Sequence, residues 1–176
     1  MTIKICILGA GYVGLVTAAC LAHLGEDIRC IDIDPRRVER LRRGELPIHE
    51  PRLDELVEQT TRAGRLTFHD DPGASHGTRL VIVAVGTLDA DGEWYGGLVT
   101  RAVEGLARDP DAPRSIVVRS TLLPGTAVAI ARAARAVDPA IELAFNLPTG
   151  AAPVCAEFHQ HDIRRVDLLS ELRIFW

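Results

Sequence analysis

No apolar run in this 176-residue chain approaches the roughly 20 residues that a bilayer span requires. A membrane-spanning helix is therefore not expected. The N-terminus also lacks a secretory layout, because MTIKICILGA reads as a strand cut by glycines rather than as the apolar stretch of a leader. Cysteine is sparse: Cys6, Cys20, Cys30 and Cys155 are the four, and they have no paired spacing. That excludes a disulfide framework and suggests buried thiols in a reducing, cytoplasmic setting. Neither sign of charge dominates. The net charge is −4, with acids and bases mixed along the chain, so nothing suggests a nucleic-acid or membrane footprint. Internal repeats, low-complexity tracts and long linkers are missing too. What remains is a chain of ordinary domain size, long enough to bury about 70% of its unfolded surface in a core without staples.

The strongest positive signal runs from Lys4 to Asp34: KICILGAGYVGLVTAACLAHLGEDIRCIDID. Ile3, Ile5, Ile7 and Leu8 make a short apolar strand. Gly9, Gly11 and Gly14 then fit G-x-G-x-x-G at the turn into a helix. Gly9 permits the tight turn, Gly11 lets backbone approach a pyrophosphate, and Gly14 lets helix pack closely on strand. The helix that follows aims its free N–H groups and positive dipole end at the phosphates. Asp32 closes the second strand about twenty residues beyond the loop, where a carboxylate can accept the hydroxyls of an adenosine ribose. This is a dinucleotide-binding pattern, and the acid favours NAD over NADP. A 2′-phosphate about 4 Å from Asp32 would meet like charge, at about 4 kcal/mol for an effective dielectric of about 20. Asp34 adds to that repulsion, and Arg36 and Arg37 soften it.

Strands and helices alternate along the rest. Asp27–Ile33 is a second strand, and Pro35 opens a charged helix that Gly44 ends. ELPIHEP is a turn. Residues 53–63 form an amphipathic helix stopped by Gly64. RLTFH is a third strand, and RLVIVAVG reads as a central parallel strand covered on both faces. LDADGEWYGG is a loop and residues 98–107 a helix. RSIVVRST is a fifth strand, PGTAVAIARAARAV a fifth helix that Thr126 is expected to cap, and IELAF a sixth strand. Such alternation implies an α/β fold, a doubly wound parallel sheet with helices on both faces. The pattern fades after Asn146, so residues 1–146 are expected to form the dinucleotide-binding domain and 147–176 a divergent tail.

In such sheets a ligand lies across the carboxyl ends of the strands. The residues expected there are Gly9 to Gly14, Asp32, Gly86, Thr87, Ser120, Thr121 and Asn146. Turns favour the same residue types, so for Gly86, Thr87 and Ser120 both readings stand. His159, Gln160, His161 and Asp162 allow a metal reading, but no third ligand follows at a recognised spacing, and no metal is expected.

In this order, GAGYVGLVTAACLAHLG, CIDID, GELPIHEP, AGRL, IVAVGT and VVRSTLLPGT resemble the N-terminal NAD-binding domain of the UDP-glucose/GDP-mannose dehydrogenases. The resemblance implies a three-layer Rossmann fold and NAD as cofactor. It also implies oxidation of a sugar-nucleotide primary alcohol to a carboxylate, with UDP-glucose or GDP-mannose as substrate class. A cysteine in a later domain captures the aldehyde, and dimerisation uses a region these residues do not include. By the same resemblance Gly9, Gly11, Tyr12, Val13 and Gly14 form the pyrophosphate loop and Asp32 binds ribose. Thr87 lies near the cofactor, Thr121 helps to position the hydrolytic water, and Glu50 and Pro51 form a structural turn.

Departures from the family pattern are visible. After Asn146 the chain reads NLPTGAAPVCAEF, without the family's Pro-Glu-Phe and its second acid, and Glu157 matches neither acid. Leu88 replaces a usual proline and Arg52 a usual glycine. Cys155 lacks the setting of the nucleophilic cysteine. These departures point to a truncated or degenerate copy, inactive by itself, and leave a non-catalytic NAD-binding or interaction module as the alternative.

Overall fold

A computed structural model describes residues 2–88, 91–92 and 95–146. The elements follow in the order β1 (Lys4–Leu8), α1 (Tyr12–His23), β2 (Asp27–Ile31), α2 (Pro35–Arg42), α3 (Leu53–Arg62), β3 (Leu66–His69), β4 (Leu80–Val83), α4 (Gly97–Arg108), β5 (Ser115–Val118), α5 (Thr126–Val137) and β6 (Glu142–Phe145). A single 3₁₀ turn, Pro72–Ser75, precedes β4. The six strands make one parallel sheet in the order β3-β2-β1-β4-β5-β6. Strand order reverses between β1 and β4, which is where a doubly wound sheet leaves its crevice.

Side-chain alternation explains the three layers. Ile5 and Ile7 of β1, Leu80 and Ile82 of β4, and Val117 of β5 join a cluster with α1, α2 and α3. Their neighbours Cys6, Val81, Val83, Ile116 and Val118 face the other way, against Val99 and Val103 of α4 and Ile130 of α5. Successive strand residues point to opposite faces, so both faces of these central strands are apolar and both need cover. The doubly wound parallel sheet read from the alternation is the one observed. Truncating the fully buried Ile7 to alanine would leave a cavity beneath α1, at roughly 2–5 kcal/mol.

Local signals place the helices. α1 is buried at every residue from Gly14 to Ala22, and its glycine and alanines let it lie close to the sheet. Pro35 sits in the first turn of α2, and the Asp34 side chain caps it by accepting from the Arg36 amide at 3.0 Å. Gly44 and Gly64 follow α2 and α3 with φ of 78° and 68°, the left-handed conformation that ends helices. Some details differ from expectation, and β2 ends at Ile31 rather than at Ile33. α4 begins one residue earlier than read, at Gly97, and runs to Arg108. Thr126 does not cap α5. Gly125, at φ 86°, holds the cap position and Thr126 is the first helical residue. The tail expectations, including Cys155, Glu157 and the His159–Asp162 cluster, lie outside the described residues.

Candidate cofactor site

The three loop glycines are held by three different surroundings. Gly9 has φ 101°, and a Cβ there would stand 2.5 Å from the Ala84 carbonyl oxygen. Its own N–H donates to the Ile31 carbonyl at 2.8 Å. Gly9 thus fastens the end of β1 between β2 and β4. A Cβ on Gly14 would collide with the Gly9 carbonyl oxygen, so α1 reaches its depth against the sheet only with glycine there. Gly11 is unlike both. Its φ is −76° and ψ −167°, ordinary extended backbone, and a Cβ would meet nothing within 4 Å. The chain itself does not require glycine at position 11. The space above it lies at the N-terminus of α1, where the Leu15 N–H to Gly11 carbonyl bond, 2.9 Å, is the first of the helix. The N–H groups of Tyr12, Val13 and Gly14 therefore have no acceptor within the helix. Anions bind at such an end.

Asp32 follows β2 and is 6% exposed. Its Oδ2 accepts the Ala10 N–H at 2.8 Å and Arg37 Nη1 at 2.9 Å, while Oδ1 accepts the Asp34 N–H at 3.0 Å. The carboxylate is thus a hinge between the glycine loop, the β2 end and α2. Three of its four or so acceptor positions are taken, one of them by the half-exposed Arg37, which leaves about one for a further donor. The sequence suggested a carboxylate free to take both hydroxyls. It did not show that the loop amide of Ala10 depends on the same group.

Across the crevice, Ala84 to Thr87 leave the end of β4. The Ala84 N–H donates to the Leu8 carbonyl at 2.8 Å, and the Thr87 carbonyl accepts the Tyr95 N–H at 2.6 Å. The buried Ser120 hydroxyl donates to the Val85 carbonyl at 2.8 Å, tying the end of β5 to that of β4. Its role is therefore structural as well as positional, and Thr121, exposed, follows it at the rim. Arg119 Nη1 donates to Asn146 Oδ1, which joins β5 to the end of β6. The sheet's carboxyl edge thus brings together the loops that carry Gly9 to Gly14, Asp32, Thr87 and Thr121.

One further feature was not expected from the sequence. The Tyr12 hydroxyl donates to Glu50 Oε1 at 2.7 Å, a bond between residues 38 positions apart that no spacing rule could announce. That bond lifts the Tyr12 phenol above its ordinary pKa of 10.0. The two free thiols, Cys6 and Cys30, lie on neighbouring strands but in opposite packing clusters. Burial pushes Cys6 up to about 12 and Cys30 up as well. Both stay protonated at neutral pH and are packing groups, not nucleophiles.

These residues suit a dinucleotide: an open position at a helix N-terminus, unpaired amides beside it, and a buried acid one strand away. Comparison with known proteins agrees. The NAD-binding domain profile of the UDP-glucose/GDP-mannose dehydrogenase family matches residues 3–172. UDP-glucose 6-dehydrogenase from Rhizobium meliloti (strain 1021) is 37% identical over 143 residues, covering 80% of this chain and 33% of that protein. GDP-mannose 6-dehydrogenase from Pseudomonas syringae pv. tomato is 37% identical over 131 residues, covering 70% of this chain and 29% of that protein. Among solved structures, a UDP-glucose dehydrogenase from Pyrobaculum islandicum superposes with a TM-score of 0.73 at 31% identity, covering 89% of this chain and 38% of that one. A ternary complex of GDP-mannose dehydrogenase from Pseudomonas aeruginosa gives 0.75 at 26% identity, covering 87% and 38%. This chain spans about a third of the length of the curated relatives it matches. No helix among the described residues is long and apolar enough to cross a membrane. A family profile that matches nearly the whole chain and relatives of such identity place it: the chain belongs to the UDP-glucose/GDP-mannose dehydrogenase family, whose NAD-binding domain it carries.

Proposed function

We propose that this domain binds NAD for the oxidation of a sugar nucleotide of the UDP-glucose or GDP-mannose type at its primary alcohol. The observation that carries the reading is Gly11. The backbone there is unstrained and a Cβ would touch nothing, so glycine serves a visitor rather than the fold. Its neighbours Tyr12, Val13 and Gly14 offer amides to the pyrophosphate, and the α1 dipole favours the negative charge. Asp32 takes ribose hydroxyls on the side opposite the Ala10 amide. Bound NAD supplies a hydride acceptor. The protein's part is to hold it across the β1–β4 crevice, with Thr87 and Thr121 on the rim nearest the substrate. We assign to Thr121 the orientation of water for the hydrolytic step, because its exposed side chain follows a strand end that Ser120 fixes. The choice of UDP-glucose or GDP-mannose as substrate class rests on the named relatives. The test is calorimetric titration of the full chain with NADH and NADPH. Tighter binding of NADH is expected, with binding abolished in Gly11→Val. Equal affinity for the two would remove the role given to Asp32.

A further inference from the structure

The turn between α2 and α3 meets the cofactor loop through one bond, that of Tyr12 to Glu50. Its two ends belong to different devices. Tyr12 is the first residue of α1, directly after Gly11, so its backbone N–H is one of the donors facing the open position. Glu50 lies at the entrance to α3, and its carbonyl accepts the Leu53 N–H at 3.1 Å. The turn around Glu50 is anchored from beneath. Leu46 and Ile48 pack on the cluster that contains Leu15 and Val16 of α1, and Pro47 and Pro51 each fix a φ angle. The anchor is therefore stiff. The ring it holds is 47% exposed, so packing alone constrains it weakly, and a hydrogen bond to a carboxylate is the stronger kind.

We infer that Glu50 is a positioning residue for the cofactor: through Tyr12 it fixes the first turn of α1 and the phenol ring at the lip of the pyrophosphate site. The inference rests on the NAD reading above. It assigns the Glu-Pro turn a binding role in addition to its place in the fold. It also separates the two properties of Glu50. The carboxylate oxygen is needed as an acceptor, whereas its negative charge, lying on the phosphate side of the domain, is not.

The test uses the full chain and four variants: Glu50→Ala, Glu50→Gln, Tyr12→Phe and the Tyr12→Phe/Glu50→Ala double. NADH affinity is measured by calorimetry and stability by thermal unfolding. Glu50→Ala and Tyr12→Phe are each expected to weaken NADH roughly three- to tenfold, because the first turn and the ring lose their pre-organisation, with the unfolding midpoint within about 2 °C of wild type. The double variant should be no weaker than either single one, because both remove the same bond. Glu50→Gln keeps an acceptor and should bind as wild type does, or more tightly. A spectroscopic readout stands beside these. The chain has only two tyrosines, so in a Tyr95→Phe background the ring resonances report Tyr12 alone. Its phenol should titrate lower in Glu50→Ala than in wild type, since the Glu50 bond is the first cause of its raised value. Unchanged NADH affinity in Glu50→Ala, with Gly11→Val still abolishing binding, would overturn this inference and leave the NAD reading intact. So would a loss in Glu50→Ala that Tyr12→Phe does not share. A wild-type chain that binds no NADH would overturn both.

Discussion

Adding one methyl group at Gly11 and the same methyl group at Gly14 should have opposite consequences, although the two glycines are three residues apart in one motif. At Gly14 the new Cβ lies inside the Gly9 carbonyl oxygen and 3.4 Å from the Ala84 side chain. The neighbour is backbone that is itself pinned by the Gly9–Ile31 bond, so α1 must lift from the sheet. Overpacking against a fixed group costs about 3 kcal/mol, and alanine's helix preference returns about 1 kcal/mol. A net loss of about 2 kcal/mol lowers the midpoint of a domain this size by about 4–8 °C. At Gly11 the Cβ meets no atom and φ is already ordinary, so Gly11→Ala should stay within about 0.5 kcal/mol of wild type. Its effect is on the ligand. A methyl group in the space where a phosphate oxygen approaches the amides should weaken NADH at least about tenfold, or about 1.4 kcal/mol. Circular dichroism melting and NADH calorimetry on both variants make the comparison. The reasoning is refuted if Gly11→Ala melts as early as Gly14→Ala, or if it binds NADH as tightly as wild type.

Other outcomes follow from the same geometry. Arg52 is the one described non-glycine residue with positive φ, 67°. Arg52→Gly should raise the urea midpoint by an amount equivalent to about 0.5–1 kcal/mol, since relief of about 1–2 kcal/mol of strain exceeds the added freedom of the unfolded chain. His76 Nε2 and Asp109 Oδ2 lie 2.8 Å apart, and their bond raises His76 above its ordinary 6.5 and lowers Asp109 below its ordinary 3.8. The histidine part of that stabilisation is complete below about pH 6.5 and fades as pH rises through the raised value. The aspartate part is complete above about pH 3.8 and fades as pH falls. Asp109→Asn should therefore lower the melting midpoint more at about pH 5.5 than at about pH 8.5. In hydrogen exchange, amides of Val81, Ile82 and Val83 in the buried centre should be among the slowest, and those of the half-exposed β6 faster.

The first βαβ unit was legible in the sequence because several independent signals coincide there. A strand pattern, three glycines at fixed offsets, a helix rich in small residues and an acid at the right distance all required the same local geometry. Gly44 and Gly64 marked helix ends for the same reason, since each occupies a conformation that other residues resist. Contacts made by tertiary approach were not legible. Tyr12 and Glu50, 38 positions apart, meet only because α1 and α3 pack side by side, whereas the Arg37–Asp32 pair, 5 positions apart, was anticipated from its nearness in sequence. Ser120 read equally well as a turn residue or a ligand contact, and the bond from its hydroxyl to the Val85 carbonyl adds a structural role that the sequence did not announce. Thr126 misled because threonine is a good cap in general, while the turn after β5 needs positive φ at the capping position and Gly125 supplies it.

The order of strands across the sheet also sets an order in time. β1 pairs with β2 on one side, Ile5 opposite Ile28, and with β4 on the other, Ile5 opposite Leu80. The second pairing closes a stretch of chain roughly three times as long as the first, at about 1 kcal/mol more in lost chain entropy. The β1–β2–β3 half, with α1 and α3 over it, can therefore assemble from nearby segments. The crevice between β1 and β4 exists only after the distant closure. On this entropy argument Asp32 and the glycine loop are expected to come together before β4 docks, and a dinucleotide to be gripped only afterwards. NADH added during refolding should leave the early phase unchanged and draw the last one forward.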